Sequence, residues 1–475
     1  MSDLGLYNSD REESAQREAL LGGEVPVAVY GLGKMGLPLA GVYADLTGNV
    51  VGADVDPAVV QSVNDGACHV DGEPGLAELV DRTVESGALR AVDDPTAAAT
   101  EARLHVVIVP TLIDDGRADL TVVESVIEDI AAGLQPGDLI VIESTVPPRT
   151  CEDVVVPRLA SDSGLPAEEF GVAFCPERTE SGRALRDIRG SWPKVVGGVD
   201  SESTRAAALV YDQVTDNDVI AASDATTAEA VKVFEGAYRD VNIALANELA
   251  TYTDALGIDV REAIAVANTV DESDILRPGP GVGGHCIPYY PYFLFGEFDV
   301  DSPLLRTARE VNDEMPAVVV GKLASLLADR GRSLDDASIL VLGGTYRAGV
   351  AETRASPAIG ITETLSANGA AVDIVDPMLD SFDEFNATPV SLADIDADYD
   401  GIVLVTAHEA FEAIDWATFD DPIVVDTRAV LDPETVDHEV YTIGGRGGVD
   451  IATRIRGGPA ASGPADAAAT DGGGE

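Results

Sequence analysis

VPVAVYGLGKMG, residues 25–36, is an apolar run that breaks into glycines spaced Gly31-x-Gly33-x-x-Gly36 and continues as LPLAGVYADL. The run before Gly31 predicts a strand, and the apolar period after Gly36 predicts a helix. Each glycine has its own task in such a turn. Gly31 makes the turn, Gly33 lets backbone approach a pyrophosphate, and Gly36 lets the helix pack on the strand. A second strand, NVVGADV, carries Asp54 at its end, 18 residues past Gly36. A carboxylate there accepts hydrogen bonds from the adenosine ribose hydroxyls and repels a 2′-phosphate. NAD rather than NADP is therefore the expected cofactor.

Outward from this stretch the alternation of strands and helices persists. LHVVIVPT (104–111), DLIVIEST (138–145) and FGVAFCPE (170–177) are further strands bounded by turn or helix signals. They predict a parallel sheet with helices on both faces. From Ala225 to about Asn268 helical periodicity takes over, then the Gly/Pro-rich loop RPGPGVGGHCIP (277–288), then more helix. A second α/β stretch follows, with strands ASILVLGG, AAVDIVD, GIVLVTA and PIVVDT from Ala337 onward. The expected plan is α/β: an N-terminal Rossmann domain over 25–222, a helical domain over 223–335 and a Rossmann-like domain over 336–450. Residues 1–24 read as a mobile leader and 451–475 as a disordered, Gly/Ala/Pro-rich tail.

Bulk chemistry narrows the setting. The 475 residues carry 84 acidic and 30 basic side chains, a formal charge of -54. Such a surface repels nucleic acid and anionic membrane. Lysine occurs only as Lys34, Lys194, Lys232 and Lys322. An acidic, lysine-poor chain suits molar salt, where the Debye length falls to ~3 Å and like charges stop repelling. Cys68, Cys151, Cys175 and Cys286 form no CxxC pair, so neither a metal site nor a disulfide framework is expected. The N-terminus lacks the basic and apolar regions of a signal peptide, and no apolar run approaches the ~20 residues of a membrane helix. A cytoplasmic protein is expected.

Candidate chemistry gathers at a few places. Cys286 lies in a glycine-rich loop beside His285. The glycines free backbone N–H groups for an anion such as a diphosphate and let substrate approach a thiol. On the helix from Thr226, Lys232, Arg239 and Asn242 fall within an arc of ~80°, with Gly236 opening space between them. Lysine's charge shifts readily on burial, so Lys232 suits acid, base or oxyanion work. Glu143-Ser-Thr145-Val-Pro-Pro148 and Cys175-Pro-Glu177-Arg178 each end a strand. Ligands bind at such ends, although each is also compatible with a structural turn. Gly343-Gly344 in VLGGTYR lacks the complete fingerprint.

GLGKMGLPLA, EPGL, VPT, ESTVPP, CPER, YRDVNIALANELA, RPGPGVGGHCIP and ETRASP occur in this order between about Val25 and Arg428. In these motifs the chain resembles the UDP-glucose / UDP-N-acetylmannosamine 6-dehydrogenase family. CPER, DVNIALANE and His285 resemble its acetamido-sugar branch, so UDP-N-acetylmannosamine is the first expected substrate and UDP-N-acetylglucosamine the second. UDP-glucose is the rival. The resemblance implies four-electron oxidation of the sugar C6 alcohol through a covalent thioester on Cys286. It further implies that Lys232 acts on the C6 oxygen, Thr145 holds a water and Glu177 activates water. Pro110 and Thr111 would border the cofactor. Arg239, Asn242, Arg277, Gly283, His285, Arg347 and Arg354 would bind the UDP-sugar.

Three positions depart from the family. Tyr290 stands where many relatives carry Asp, Gly236 where many carry Asn, and Arg347 where UDP-glucose enzymes tend to have Lys. An acid–base role for that Asp is therefore absent or moved. The apolar-rich stretch DVNIALANELATYTDAL (240–256) has more hydrophobic surface than one shielded face needs, so a homodimer is expected.

Overall fold

The computed structural model describes residues 5–432 and 435–445. The expected tail at 451–475 lies outside them. The chain divides into two compact units, residues 1–240 with 285–309, and 241–284 with 310–475. The order α/β, helical, α/β holds along the sequence. The helical middle, however, does not stand alone as the expected 223–335 domain; its parts are shared between the two units.

In the first unit the strands are β1 (Val27–Tyr30), β2 (Val50–Ala53), β3 (Leu89–Val92), β4 (Leu104–Val107), a small hairpin β5 (Leu112–Asp114) and β6 (Arg117–Asp119), then β7 (Leu139–Ile142), β8 (Gly171–Phe174), β9 (Lys194–Gly198) and β10 (Val219–Ala221). Eight of them form one sheet in the order β10-β9-β8-β7-β4-β1-β2-β3. The sheet is parallel from β3 to β8, and β1 to β4 keep the register Val27↔Val50 and Val27↔Leu104. It is not wholly parallel as expected, because β9 runs antiparallel to β8. Strands β1, β4, β7 and β8 are buried along their full length, since helices cover both faces. Strand order reverses between β1 and β4, so a crevice opens at their carboxyl ends.

The expected mobile leader is a correction. Leu6 and Tyr7 are buried, and Tyr7 donates from its backbone to the Gly137 carbonyl and from its hydroxyl to Asp200. Gly171 has no side chain because the Tyr7 ring occupies that space. Glu13–Leu21 is a helix that buries Ala19 and Leu20 in the core of this unit.

The second unit holds β11 (Ser338–Leu342), β12 (Ala371–Val375), β13 (Thr388–Pro389), β14 (Gly401–Leu404), β15 (Ile423–Asp426) and β16 (Glu439–Thr442). These make a six-stranded parallel sheet, β13-β12-β11-β14-β15-β16. The long helices are Ala225–Ala250 and Pro303–Asp329. The stretch expected as one helix over 240–256 breaks after Ala250, and Thr253–Leu256 is a separate turn of helix ended by left-handed Gly257.

Candidate active site

The crevice between β1 and β4 carries the glycine loop. Gly31 has φ +92°, a conformation that disfavours any side chain. A Cβ on Gly36 would lie 1.9 Å from the Gly31 carbonyl, so the helix Gly36–Thr47 packs closer than any other residue permits. Nothing lies within 4 Å of a Cβ built on Gly33, which leaves its backbone open to an incoming phosphate. Asp54 Oδ2 accepts from Leu32 N at 2.8 Å and Oδ1 from Asp56 N at 3.0 Å, which fixes the carboxylate at the end of β2. Each oxygen keeps a lone pair for a ribose hydroxyl. The opposite lip is tied together by Val109 N donating to Ser144 Oγ at 2.8 Å and Thr111 Oγ1 donating to the Thr145 carbonyl at 2.6 Å. Pro110 is exposed between them. These residues fit a dinucleotide: an open backbone at Gly33, a helix N-terminus for its pyrophosphate and a carboxylate for its ribose.

Beside it, still in the first unit, the four expected catalytic residues come together. Thr145 follows β7 and Glu177 follows β8. Lys232, 8% exposed, reaches in from the helix Ala225–Ala250. Its Nζ donates to the Glu177 carbonyl and lies 3.6 Å from Glu177 Oε2. The other carboxylate oxygen accepts from the Thr179 backbone and hydroxyl. Lys232 Nζ is thus held next to a carboxylate of fixed orientation. Cys286 is exposed and opens a tight turn in which its carbonyl accepts from Tyr289 N and Tyr290 N at 3.1 and 3.0 Å. The turn carries the Tyr290 side chain inward. Its hydroxyl meets Thr145 Oγ1 at 3.1 Å. His285 is exposed next to the thiol.

Burial separates the four cysteines. It pushes the Cys175 thiol far up and does the same to Cys151, so both stay protonated and inert. Cys68 is half-buried, its thiol also raised by burial, and bonds the Val70 carbonyl. Cys286 alone of the four is exposed.

Sequence reasoning missed a polar layer beneath this site. Glu143, at the end of β7, is 1% exposed and accepts from the Tyr211 hydroxyl. Burial drives its carboxyl up while Lys194 draws it down. Lys194 itself is buried over the Tyr211 ring, 5.7 Å from its centroid. Avoidance of lysine elsewhere in the chain was the available signal.

The expected UDP-sugar residues are divided between the two units. Arg239 is exposed in the first unit. In the second unit Asn242 is buried, and its amide donates to the Asp274 carbonyl at 2.7 Å and accepts from Leu276 N at 2.9 Å. Its observed role is to set the backbone that leads into Arg277, which is exposed. A Cβ on Gly283 would lie 2.7 Å from Tyr346 Cβ, and Gly284 N donates to the Arg354 carbonyl at 2.9 Å. The glycines therefore dock their loop on the segment that carries exposed Arg347 and half-buried Arg354. At Gly343-Gly344 the N–H groups of Gly344 and Thr345 are committed to Asp376 Oδ2, which His408 also contacts at 2.9 Å.

Three family models match in order: the UDP-glucose/GDP-mannose dehydrogenase NAD binding domain over 25–215, central domain over 226–314 and UDP binding domain over 340–433. A UDP-N-acetyl-D-mannosamine dehydrogenase of Methanococcus maripaludis is 35% identical over 86% of this chain and 93% of its own. Among solved structures, a UDP-D-ManNAc dehydrogenase of Pyrococcus horikoshii is similar at TM-score 0.83 and 33% identity, covering 90% of this chain and all of its own. A UDP-glucose dehydrogenase of Pyrobaculum islandicum is similar at TM-score 0.78 and 27% identity, covering 90% and 98%.

Proposed function

Because the chain belongs to the UDP-glucose/GDP-mannose dehydrogenase family of NAD-dependent enzymes, we propose that it oxidises the C6 alcohol of a UDP-N-acetylhexosamine to the uronate through a thioester on Cys286. UDP-N-acetylmannosamine is the first choice and UDP-N-acetylglucosamine the second. The observation that carries this reading is the exposed Cys286 thiol at the same strand ends as Thr145, the Lys232–Glu177 pair and the dinucleotide loop. The names and higher identity of the acetamido-sugar relatives support the choice of sugar.

The balance is one alcohol and one water in, one carboxylate and three protons out, with two hydrides leaving carbon C6. NAD supplies the hydride acceptor for each. Lys232 stabilises negative charge on the C6 oxygen as the first hydride leaves. Cys286 Sγ then adds to the aldehyde carbon, which keeps the aldehyde in the site and presents the second hydride on the same carbon. Water, held by Thr145 and deprotonated by Glu177, attacks the thioester and expels the thiolate. Arg239, Arg277, His285, Arg347 and Arg354 are proposed to bind the UDP-sugar, with Asn242 and Gly283 positioning their loops.

A homodimer goes with this reading. Phe234, Tyr238 and Leu245 are exposed at 59%, 54% and 47% along one stripe of the helix Ala225–Ala250. Burying such a stripe against a second copy is favourable, and a monomer mass by light scattering at high salt would overturn it. No helix among the described residues is long and apolar enough to cross a membrane. A cytoplasmic setting, where NAD and UDP-sugars are found, is proposed with it.

The test is a panel of UDP-N-acetylmannosamine, UDP-N-acetylglucosamine and UDP-glucose with NAD in high salt, counting NADH per sugar. Two NADH per acetamido sugar are expected, with kcat/KM for UDP-glucose lower by up to ~10⁴-fold because the amide-binding groups would be left unpaired. A higher kcat/KM for UDP-glucose refutes the sugar assignment. Carboxylate formation by Cys286→Ser refutes the thioester.

A further inference from the structure

Two departures from the family, at Gly236 and Tyr290, meet in space. A Cβ on Gly236 would lie 2.2 Å from Tyr290 Cδ2 and 2.9 Å from Cγ, so the ring occupies the space where a side chain is missing from the helix. Val233 and Phe293 close around it, with Ile113 and Ala118 of the β5–β6 hairpin behind. The ring is locked, its hydroxyl is held 3.1 Å from Thr145 Oγ1, and its backbone N–H donates to the Cys286 carbonyl at 3.0 Å, which keeps the phenol in the same turn as the thiol. This packing needs a glycine opposite the ring.

We propose that the Tyr290 hydroxyl is a catalytic group of this enzyme: it accepts from Thr145 Oγ1–H and donates a hydrogen bond to Cys286 Sγ, and Gly236 is the residue that makes room for it. The proposal rests on Cys286 being the nucleophile. A phenol here does what a carboxylate cannot. A carboxylate beside the sulfur opposes its negative charge, whereas a neutral O–H donor favours it through a charge-assisted hydrogen bond. Burial, and next the charge of Cys286, hold the Tyr290 hydroxyl well above its ordinary value of 10.0, so it stays a donor throughout the working pH range. The same donor helps the thiolate leave when the thioester is hydrolysed, and no proton is transferred in either step.

The experiment is labelling of the intact enzyme with iodoacetamide in high salt, without substrate. Cys286 is the exposed cysteine, so labelling reports on it, and Cys286→Ser is the control. Tyr290→Phe keeps the ring and removes the donor. Labelling at neutral pH should slow about tenfold, with circular dichroism and NAD binding unchanged. An unchanged rate in a folded variant overturns the proposal. Gly236→Ala must displace the ring, so it should slow labelling in the same way yet add nothing in a Tyr290→Ala background. Should Tyr290→Phe fail to fold, Gly236→Ala alone decides: labelling at the unmodified rate overturns the proposal. If Cys286→Ser still forms acid while Tyr290→Phe slows labelling, the thioester reading fails and the pairing of Tyr290 with Cys286 stands.

Discussion

At Asp54 a single carboxylate does two jobs. It anchors the glycine loop through Leu32 N, and we propose that it also faces the adenosine ribose. A 2′-phosphate there would sit against a like charge, at a cost of several kcal/mol. Use of NAD over NADP should therefore be favoured about 100-fold in kcat/KM, a gap of about 2.7 kcal/mol. Asp54→Asn should narrow that gap and also weaken NAD use, because its amide nitrogen must face one of two backbone N–H donors. The check is kcat/KM with both cofactors; equal use of NADP by the unmodified enzyme sinks the idea. At the same scale, the contrast between Cys175 and Cys286 is one of burial. Both lie at sequence motifs, but only the exposed thiol is available for chemistry.

Elements bring these residues into register, and the ties between them are specific. Glu229, in the first turns of the helix Ala225–Ala250, accepts from Arg149 N at 2.6 Å and Cys151 N at 2.8 Å, and so fastens the Lys232 helix to the segment after Thr145. Burial raises its carboxyl to about 7, against the backbone donors that pull it down. Below its ordinary value of 4.5 both folded and unfolded chains hold the proton. Between there and about 7 the unfolded chain ionises first, so stability falls as pH rises and levels off above. The fall is about 3 kcal/mol at most. Glu229→Gln removes this linkage and costs about 1–2 kcal/mol for the backbone donor left unpaired. The urea midpoint of the unmodified protein should start above that of the variant and close on or cross it as pH rises through this range; a constant gap counts against the assignment. Much of the element plan was legible in sequence because period and glycine spacing are local. β1, β4, β7 and β8, the three loop glycines and the strand-end residues Thr145 and Glu177 all follow from such patterns. What was not legible depends on contacts far apart in sequence. The antiparallel β9, the packing of Leu6 and Tyr7 under Gly171, and the seat of Tyr290 on Gly236 are of this kind. Tyr290 looked like the loss of an acid–base group, and only the ring's position shows what stands in its place.

Across the whole molecule, 84 acidic side chains face 30 basic ones. Arginine makes what local pairs it can, as where Arg82 and Arg189 both bind Asp45 at 2.7 and 2.9 Å. Exposed pairs of this sort are worth ~0–1 kcal/mol each and leave the excess charge uncompensated. The fold is therefore expected to depend on screening. On dialysis from molar salt to low ionic strength the Debye length grows from ~3 Å to beyond 10 Å, and repulsion across the surface returns. The apparent Tm should fall by about 10 °C or more, the size of shift that several kcal/mol produces in a large domain. Helical circular dichroism and dehydrogenase activity should be lost together. Salt also strengthens apolar burial when the anion is sulfate, so two causes must be separated. Sodium chloride and sodium sulfate at equal ionic strength should restore nearly equal activity if screening is the cause. A large advantage for sulfate would assign the salt requirement to hydrophobic packing. Full activity without added salt would remove the requirement altogether and leave the charge of -54 to be explained by solubility alone.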